Sequence, residues 1–325
     1  MKRLCLLLLF SALTLFSREI KPAFVMHTRG LVSDFVIDGL KLYVANDEGS
    51  VEIFDLRVRK KTGEIFIPPI QNDPGVWISP KILSVDRHNG KTLIVSTAPQ
   101  GYRRVWLHES GKLTPVITTQ KRLAIKEARF IDDKNFIFGT LGHDMIRYTL
   151  DDDYSLYRQH LEESAFSDMV LSEDKKLLAS ASESGRVTLM DLKTGKILDK
   201  SREKNLDNIY KIAMQNGTII TAGQDRRVAV YPKQGTPYTI KSDFLVYSVG
   251  LSPSGKLGIY SANENNDLQL FDIRTGAKLH LLKGHKAVPT TIKFFNEDGL
   301  FSAGDENTIY YWYLKEYNTT HPAKN

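Results

Sequence analysis

Cysteine is almost absent: the 325-residue chain holds one, Cys5. A single cysteine excludes an internal disulfide and any thiolate cage for a metal, because both need cysteines in groups. Long apolar runs are scarce too. Leu4 to Phe16 is thirteen residues, short of the roughly 20 a membrane-spanning helix requires. No glycine-rich phosphate loop occurs; the glycines fall singly at turn positions such as Ser184-Gly185 and Gln234-Gly235. The eight histidines (His27, His88, His108, His143, His160, His280, His285 and His321) are scattered through the chain. None forms the two-histidine helical spacing or carboxylate register of a zinc site. The formal charge of +6 is spread thinly, whereas nucleic-acid binders concentrate Lys and Arg on one face. Arg57-Val58-Arg59-Lys60-Lys61 and Asp225-Arg226-Arg227 read as solvated turns. No cofactor, no nucleic acid and no catalytic constellation is expected.

The first residues do carry a signal. Lys2-Arg3, the apolar run to Phe16 and the small Ser17 have the order of a secretory signal peptide, cleaved after Ser17. Leu15 stands where a smaller residue is usual, which leaves an uncleaved anchor as the alternative. Cys5 opens the apolar run instead of closing it, so it does not read as a lipid-modified cysteine. The expected organisation is a signal peptide over 1–17 and one domain over 18–325, exported to the periplasm, with no cysteine and no transmembrane span in the mature protein. Loss of Lys2 and Arg3 takes the charge from +6 to +4.

What fills the rest of the chain is a repeat. Phe54, Trp106, Tyr148, Met190, Tyr231, Phe271 and Trp312 recur at steps of 52, 42, 42, 41, 40 and 41 residues. A period near 40 with one bulky apolar anchor per unit marks a β-propeller, and each unit breaks into short alternating strands separated by turn residues. The sixth shows it best: Val246 to Ser252, a Pro253-Ser254-Gly255-Lys256 turn, Leu257 to Ala262, an Asn263 to Asn266 turn, Leu268 to Asp272, then Lys278 to Leu282. The seventh unit supplies three strands, about Thr290 to Phe295, Gly299 to Ala303 and Thr308 to Leu314. Lys21 to His27 has nothing else to pair with. The expected fold is therefore all-β: a seven-bladed propeller closed by an N-terminal strand in the last blade, which removes the open edge. Lys60 to Asp73 and Glu162 to Ser167 read as longer connections.

Over its mature length the chain resembles WD-repeat propellers. The family's internal hydrogen-bond chain joins a histidine, a Ser or Thr, an acid and a tryptophan. Its best match here is Gly284-His285, Ser302, Glu306 and Trp312, with glutamate in place of the usual aspartate; other units keep Phe54-Asp55, Met190-Asp191 and Phe271-Asp272. The resemblance implies a structural role for His285. A narrower resemblance is carried by Phe166 to Met169, Ile219 to Arg227 and Asp243 to Leu257. These stretches are similar to the NapL family, accessory proteins of the periplasmic nitrate-reductase systems of epsilon-class proteobacteria. That likeness implies a non-catalytic partner-binding protein serving the reductase or its electron-transfer and maturation proteins, with no catalytic residues to carry over.

Propeller inner strands start beside the mouth of the central channel. Aligning those starts brings Asp34, Glu127, Asp168, Lys211, Ser248 and Thr291 to comparable positions. Charges there are costly unless paired or wet. Two readings follow: a polar rim for a protein partner, with Tyr210 and Tyr247 as aromatic anchors, or mutual pairing, as between Asp168 and Lys211 of neighbouring blades. The candidate partner-binding set is Asp34, Glu127, Asp168, Tyr210, Lys211, Arg226 and Tyr247. The alternative function is a propeller enzyme or a small-ligand or metal receptor, with the channel carboxylates holding its substrate.

Overall fold

A computed structural model describes residues 19–151 and 154–315; the leader expected over 1–17 lies outside them. Among the described residues seven antiparallel sheets follow one another along the chain, each built inner strand to outer strand, with one extra two-stranded hairpin. Blade 1 runs Val32–Asp38, Lys41–Asn46, Ser50–Asp55 and Lys60–Phe66, and blade 2 begins at Ile82–His88. The inner strands of blades 3 to 7 are Ile125–Phe130, Phe166–Leu171, Ile209–Gln215, Val249–Leu251 and Pro289–Asn296. This is the seven-bladed propeller expected from the repeat.

The anchors explain why the blades stay together. All seven lie on third strands and are buried. Each packs across the seam to the preceding blade: Trp106 sits with Tyr43, Ala45 and Val51 of blade 1, Tyr148 with Leu93 and Val95 of blade 2, and Phe54 with Phe301, Ala303 and Ile309 of blade 7. Met190, Tyr231, Phe271 and Trp312 repeat the arrangement at the remaining seams. The core is thus divided among seven seams. In blade 6 the anchor dictates its neighbour, since a Cβ on Gly258 would lie 2.3 Å from the Phe271 ring.

The chain ends are laced across two blades. Phe24–His27 pairs antiparallel with Thr308–Tyr313, Phe24 opposite Tyr311, and supplies the fourth strand of blade 7. Glu19–Ile20 pairs in parallel with the outer strand of blade 6, Lys278–Leu282, which the sequence did not suggest. Ile20 is buried among Leu268, Leu282 and Trp312, at the seam between blades 6 and 7. One segment therefore closes the ring and straps the adjoining seam.

Two expectations need correction. Lys60 to Asp73 is no simple connection: Lys60–Phe66 is the outer strand of blade 1, and Ile70–Asp73 pairs with Val76–Ile78 in the extra hairpin. Its turn uses Pro74 and Gly75, the latter at φ 83°, where a residue without Cβ is favoured. This insertion accounts for the 52-residue step between Phe54 and Trp106, and it leaves Trp77 65 % exposed. In blade 6 the inner strand is shorter than the expected Val246 to Ser252. The hydroxyl of Ser261 accepts from the Tyr247 and Ser248 N–H groups at 2.7 and 3.2 Å, replacing ladder bonds there.

Candidate functional site

Because the strands alternate in direction, the starts of the inner strands share one face with the second turn of every blade and with the blade-to-blade loops. A bulge recurs on that face. In five blades the register slips by one residue between Val32 and Asp34, Ile125 and Glu127, Phe166 and Asp168, Ile209 and Lys211, and Pro289 and Thr291. Bulges re-aim the side chain that follows, so these residues point to comparable places around the channel. Blade 2 slips opposite Val95 and Ser96, which makes Ser84 its counterpart. The sequence alignment missed Ser84 because the hairpin displaces that unit.

The structure brings the carboxylates together as clasps between blades. Asp34 accepts the Val85 N–H at 3.1 Å, Glu127 the Met169 N–H at 3.3 Å, and Asp168 the Ile212 N–H at 2.9 Å. Ser84 and Asp86 accept from Ala128 and Phe130 at 3.2 and 2.7 Å, and the Ser248 hydroxyl donates to the Pro289 carbonyl at 2.7 Å. Each bond joins a blade to the next. Their charges are matched as well: Lys211 Nζ lies 3.2 Å from Asp168, Arg129 lies 3.1 Å from Asp34 and 2.7 Å from Glu127, and Lys293 lies 3.1 Å from Asp34. Mutual pairing of Asp168 with Lys211 is what the structure contains. Asp34, Glu127 and Asp168 are 6, 5 and 5 % exposed, so they line the channel wall and present little surface.

Arg129, Lys293 and Asp86 were not anticipated, although a signal existed. They stand two residues beyond Glu127, Thr291 and Ser84 on the same inner strands, and a strand's period of two places such residues on one face. Their presence shifts the acids. Burial pushes Asp34 up, but Lys293, Arg129, Lys211 and the Val85 N–H outweigh it and hold its carboxyl well below the usual range. Burial raises Glu127 to about 7, against the opposition of Arg129 and Lys211 and with the help of Asp168 and Asp34. Burial disfavours charge on Lys211, yet Asp168, Glu127 and Asp34 prevail and raise its pKa.

The remaining candidates form a different feature. Tyr210 and Tyr247, half-buried at the inner-strand starts of blades 5 and 6, stack with centroids 5.2 Å apart and planes 15° from parallel. Phe244 packs beside Tyr247 at 6.2 Å. Tyr210 donates to Gln224 at 2.9 Å, and Arg226 stands exposed on the same turn with φ 60°. Leu206, in the preceding loop, is 70 % exposed.

Other polar constellations are structural. His285 reaches Ser302 at 2.6 Å and Glu306 at 2.9 Å, Trp312 donates to Ser302 at 2.7 Å, and Tyr310 donates to Glu306 at 2.8 Å. Blade 5 builds an equivalent with asparagine replacing histidine: Thr221 donates to Asn205 at 2.5 Å, and Asn205 donates to Asp225 at 3.0 Å. His143 bonds Ser180 of blade 4 at 2.8 Å. Among the described residues no three of His, Asp, Glu or Cys form a cluster able to hold a metal ion, and no helix is long and apolar enough to cross a membrane.

No protein-family model matches the chain, and no curated protein matches it. Among solved structures it is similar to the β-propeller domain of Cps50 (Swd1) from Myceliophteria thermophila, with a TM-score of 0.72 at 15 % identity, over 90 % of this chain and 98 % of that one. The similarity is one of fold: an all-β, seven-bladed propeller of WD-repeat type.

Proposed function

We propose that this protein is a non-catalytic accessory protein of a periplasmic nitrate-reductase system, docking protein partners on the rim of blades 5 and 6. The propeller fold suits an interaction scaffold. The observation that carries the reading is the stacked, half-buried Tyr210 and Tyr247 pair, flanked by Phe244, Leu206 and Arg226. Rigid aromatic pairs with an arginine beside them are the usual composition of binding hot spots. Two of the three stretches similar to the NapL family lie there: Ile219 to Arg227 ends in the Arg226 turn, and Asp243 to Leu257 carries Phe244 and Tyr247, while Phe166 to Met169 opens the inner strand of the neighbouring blade 4. Export through the leader would put that rim in the periplasm.

The test is affinity capture from the native periplasm with the parent and with Tyr210→Ala/Tyr247→Ala. Truncating two anchors at about 2 kcal/mol each weakens capture by well over 30-fold. Lys60→Ala/Lys112→Ala, exposed at the outer-strand starts on the opposite face, is the control. Arg59 is unsuitable as a control, although it also lies on an outer turn, because its guanidinium sits 4.4 Å over the ring of Phe24 in the closing strand. Undiminished capture by the folded tyrosine variant would place the interface elsewhere. Partners unrelated to nitrate reduction would refute the narrower role.

A further inference from the structure

At Asp34 and Asp168 the channel wall has satisfied its carboxylates more fully than its cations. A cavity of about 320 Å³ is lined by Asp34, Glu127, Arg129, Asp168, Lys175, Lys211 and Lys293, with Thr290 and Thr291 on the blade 7 wall. Asp34 accepts from Val85, Phe35, Arg129 and Lys293, and Asp168 from Ile212 and Lys211. An ammonium has three donors. Lys211 uses one of them, on Asp168, and Lys293 uses two, on Asp34 and the Phe35 carbonyl. Lys175 comes from the turn at the opposite mouth, where its φ of 55° is left-handed, and no carboxylate lies within ion-pair distance of it among the described residues. Its side chain stays exposed to solvent at that mouth while lining the cavity, and desolvation by the channel wall lowers its pKa.

We propose that this cavity binds a small oxyanion or carboxylate of one or two negative charges, held by Lys175, Lys211 and Lys293. The cavity linings along the channel hold five cations (Lys126, Arg129, Lys175, Lys211 and Lys293) and three carboxylates (Asp34, Glu127 and Asp168), with Asp86 acting on Lys175 and Glu183 on Lys126 from beyond the lining. Arg129 supplies fixed positive charge without being a ligand, because its two terminal nitrogens already bond Val85, Ala128, Asp34 and Glu127. A metal cation is the wrong occupant: it would have to displace lysine and arginine partners from Asp34, Glu127 and Asp168.

Binding should move a proton. Glu127 is faced by Arg129 on its own strand, Asp34 from blade 1, Asp168 and Lys211 from blades 4 and 5, and Lys126 next to it. An anion entering that field disfavours the ionised carboxylate, so binding at pH 7.5 takes up protons from the buffer.

The experiment is isothermal titration of the full mature chain with phosphate, sulfate or succinate at constant ionic strength, run in two buffers of different ionisation enthalpy. The expected result is one-to-one binding of at least one probe. Lys175→Gln, which breaks no bond of the fold, weakens it about tenfold, and Lys211→Met weakens it as well. Glu127→Gln retains binding but abolishes the proton uptake, which a merely structural residue would not do. Lys233→Gln, outside the channel, changes nothing. Failure of all three anions to bind up to about 10 mM, beyond the millimolar end of ordinary affinities, overturns the proposal, and so does binding that is indifferent to Lys175→Gln.

Discussion

Removing Glu19 to Met26 should destabilise the protein strongly, because this segment closes one blade and straps the next. It takes away Ile20 and Met26, which are 2 and 3 % exposed. Burial of each is worth about 1.5–3 kcal/mol, so the pair contributes roughly 3–6 kcal/mol. Phe24 adds more through its stack on Tyr311 at 4.8 Å. The backbone bonds from Ala23 to Tyr311 and from Lys283 to Ile20 disappear as well. Net stabilities are typically only 5–15 kcal/mol, and each kcal/mol moves the melting temperature of a large domain by roughly 2–4 °C. A fall of at least about 6 °C is therefore expected in a thermal melt followed by circular dichroism, accompanied by aggregation through the exposed edge of Thr308–Tyr313. A synthetic peptide of residues 19–28 added in excess should recover part of the loss. A truncated protein melting within about 2 °C of the intact chain would refute both the closure and the strap.

Other outcomes follow from single sites. Ser302→Ala leaves the Trp312 indole N–H without its acceptor and the Nε2 of His285 without its partner, while His285 keeps Glu306, and should cost about 1–3 kcal/mol in urea unfolding; an unchanged midpoint would mean the chain of bonds does not support blade 7. Glu127 has a folded pKa raised above 4.5, so the fold keeps a proton that the unfolded chain has released, and its contribution declines as pH rises from about 4.5 to about 7. Asp34, shifted the opposite way, loses its contribution only below that window. Comparing urea midpoints at pH 5 and 7.5 should show a decline in the parent that is flattened in Glu127→Gln; equal slopes in the two would refute the assignment. Iodide should quench one class of tryptophan in three, and Trp77→Phe should abolish it, since Trp106 and Trp312 are buried at their seams; quenching that survives the substitution would contradict the hairpin's placement.

The architecture was legible because its cause is periodic. Each blade needs a bulky side chain at the seam with its predecessor, and that demand recurs about every 41 residues, whichever of Phe, Trp, Tyr or Met meets it. The closing strand was legible by elimination, as the seventh unit lacked one. The strap was not, because Glu19–Ile20 is two residues long and so short a segment carries no alternation. The hairpin hid behind Pro68-Pro69 and Pro74-Gly75, which read as loop, and its insertion removed Ser84 from the aligned ring. Asp34, Glu127, Asp168 and Lys211 were found at the channel. Their role as clasps could not be read from the chain, because their partners, the N–H groups of Val85, Met169 and Ile212 and the side chains of Arg129 and Lys293, come from other blades, save for Arg129 where it pairs with Glu127 on its own strand.

The most direct test of the account places a photo-crosslinking amino acid at Tyr247 of the protein produced in its native cell, with the same group at Lys60 on the opposite face as comparison. Docking on the rim of blades 5 and 6 predicts that Tyr247 yields a discrete adduct in the periplasmic fraction with a component of the nitrate-reductase system, and that Lys60 does not. Adducts at Lys60 with none at Tyr247, or adducts confined to cytoplasmic proteins, would contradict it.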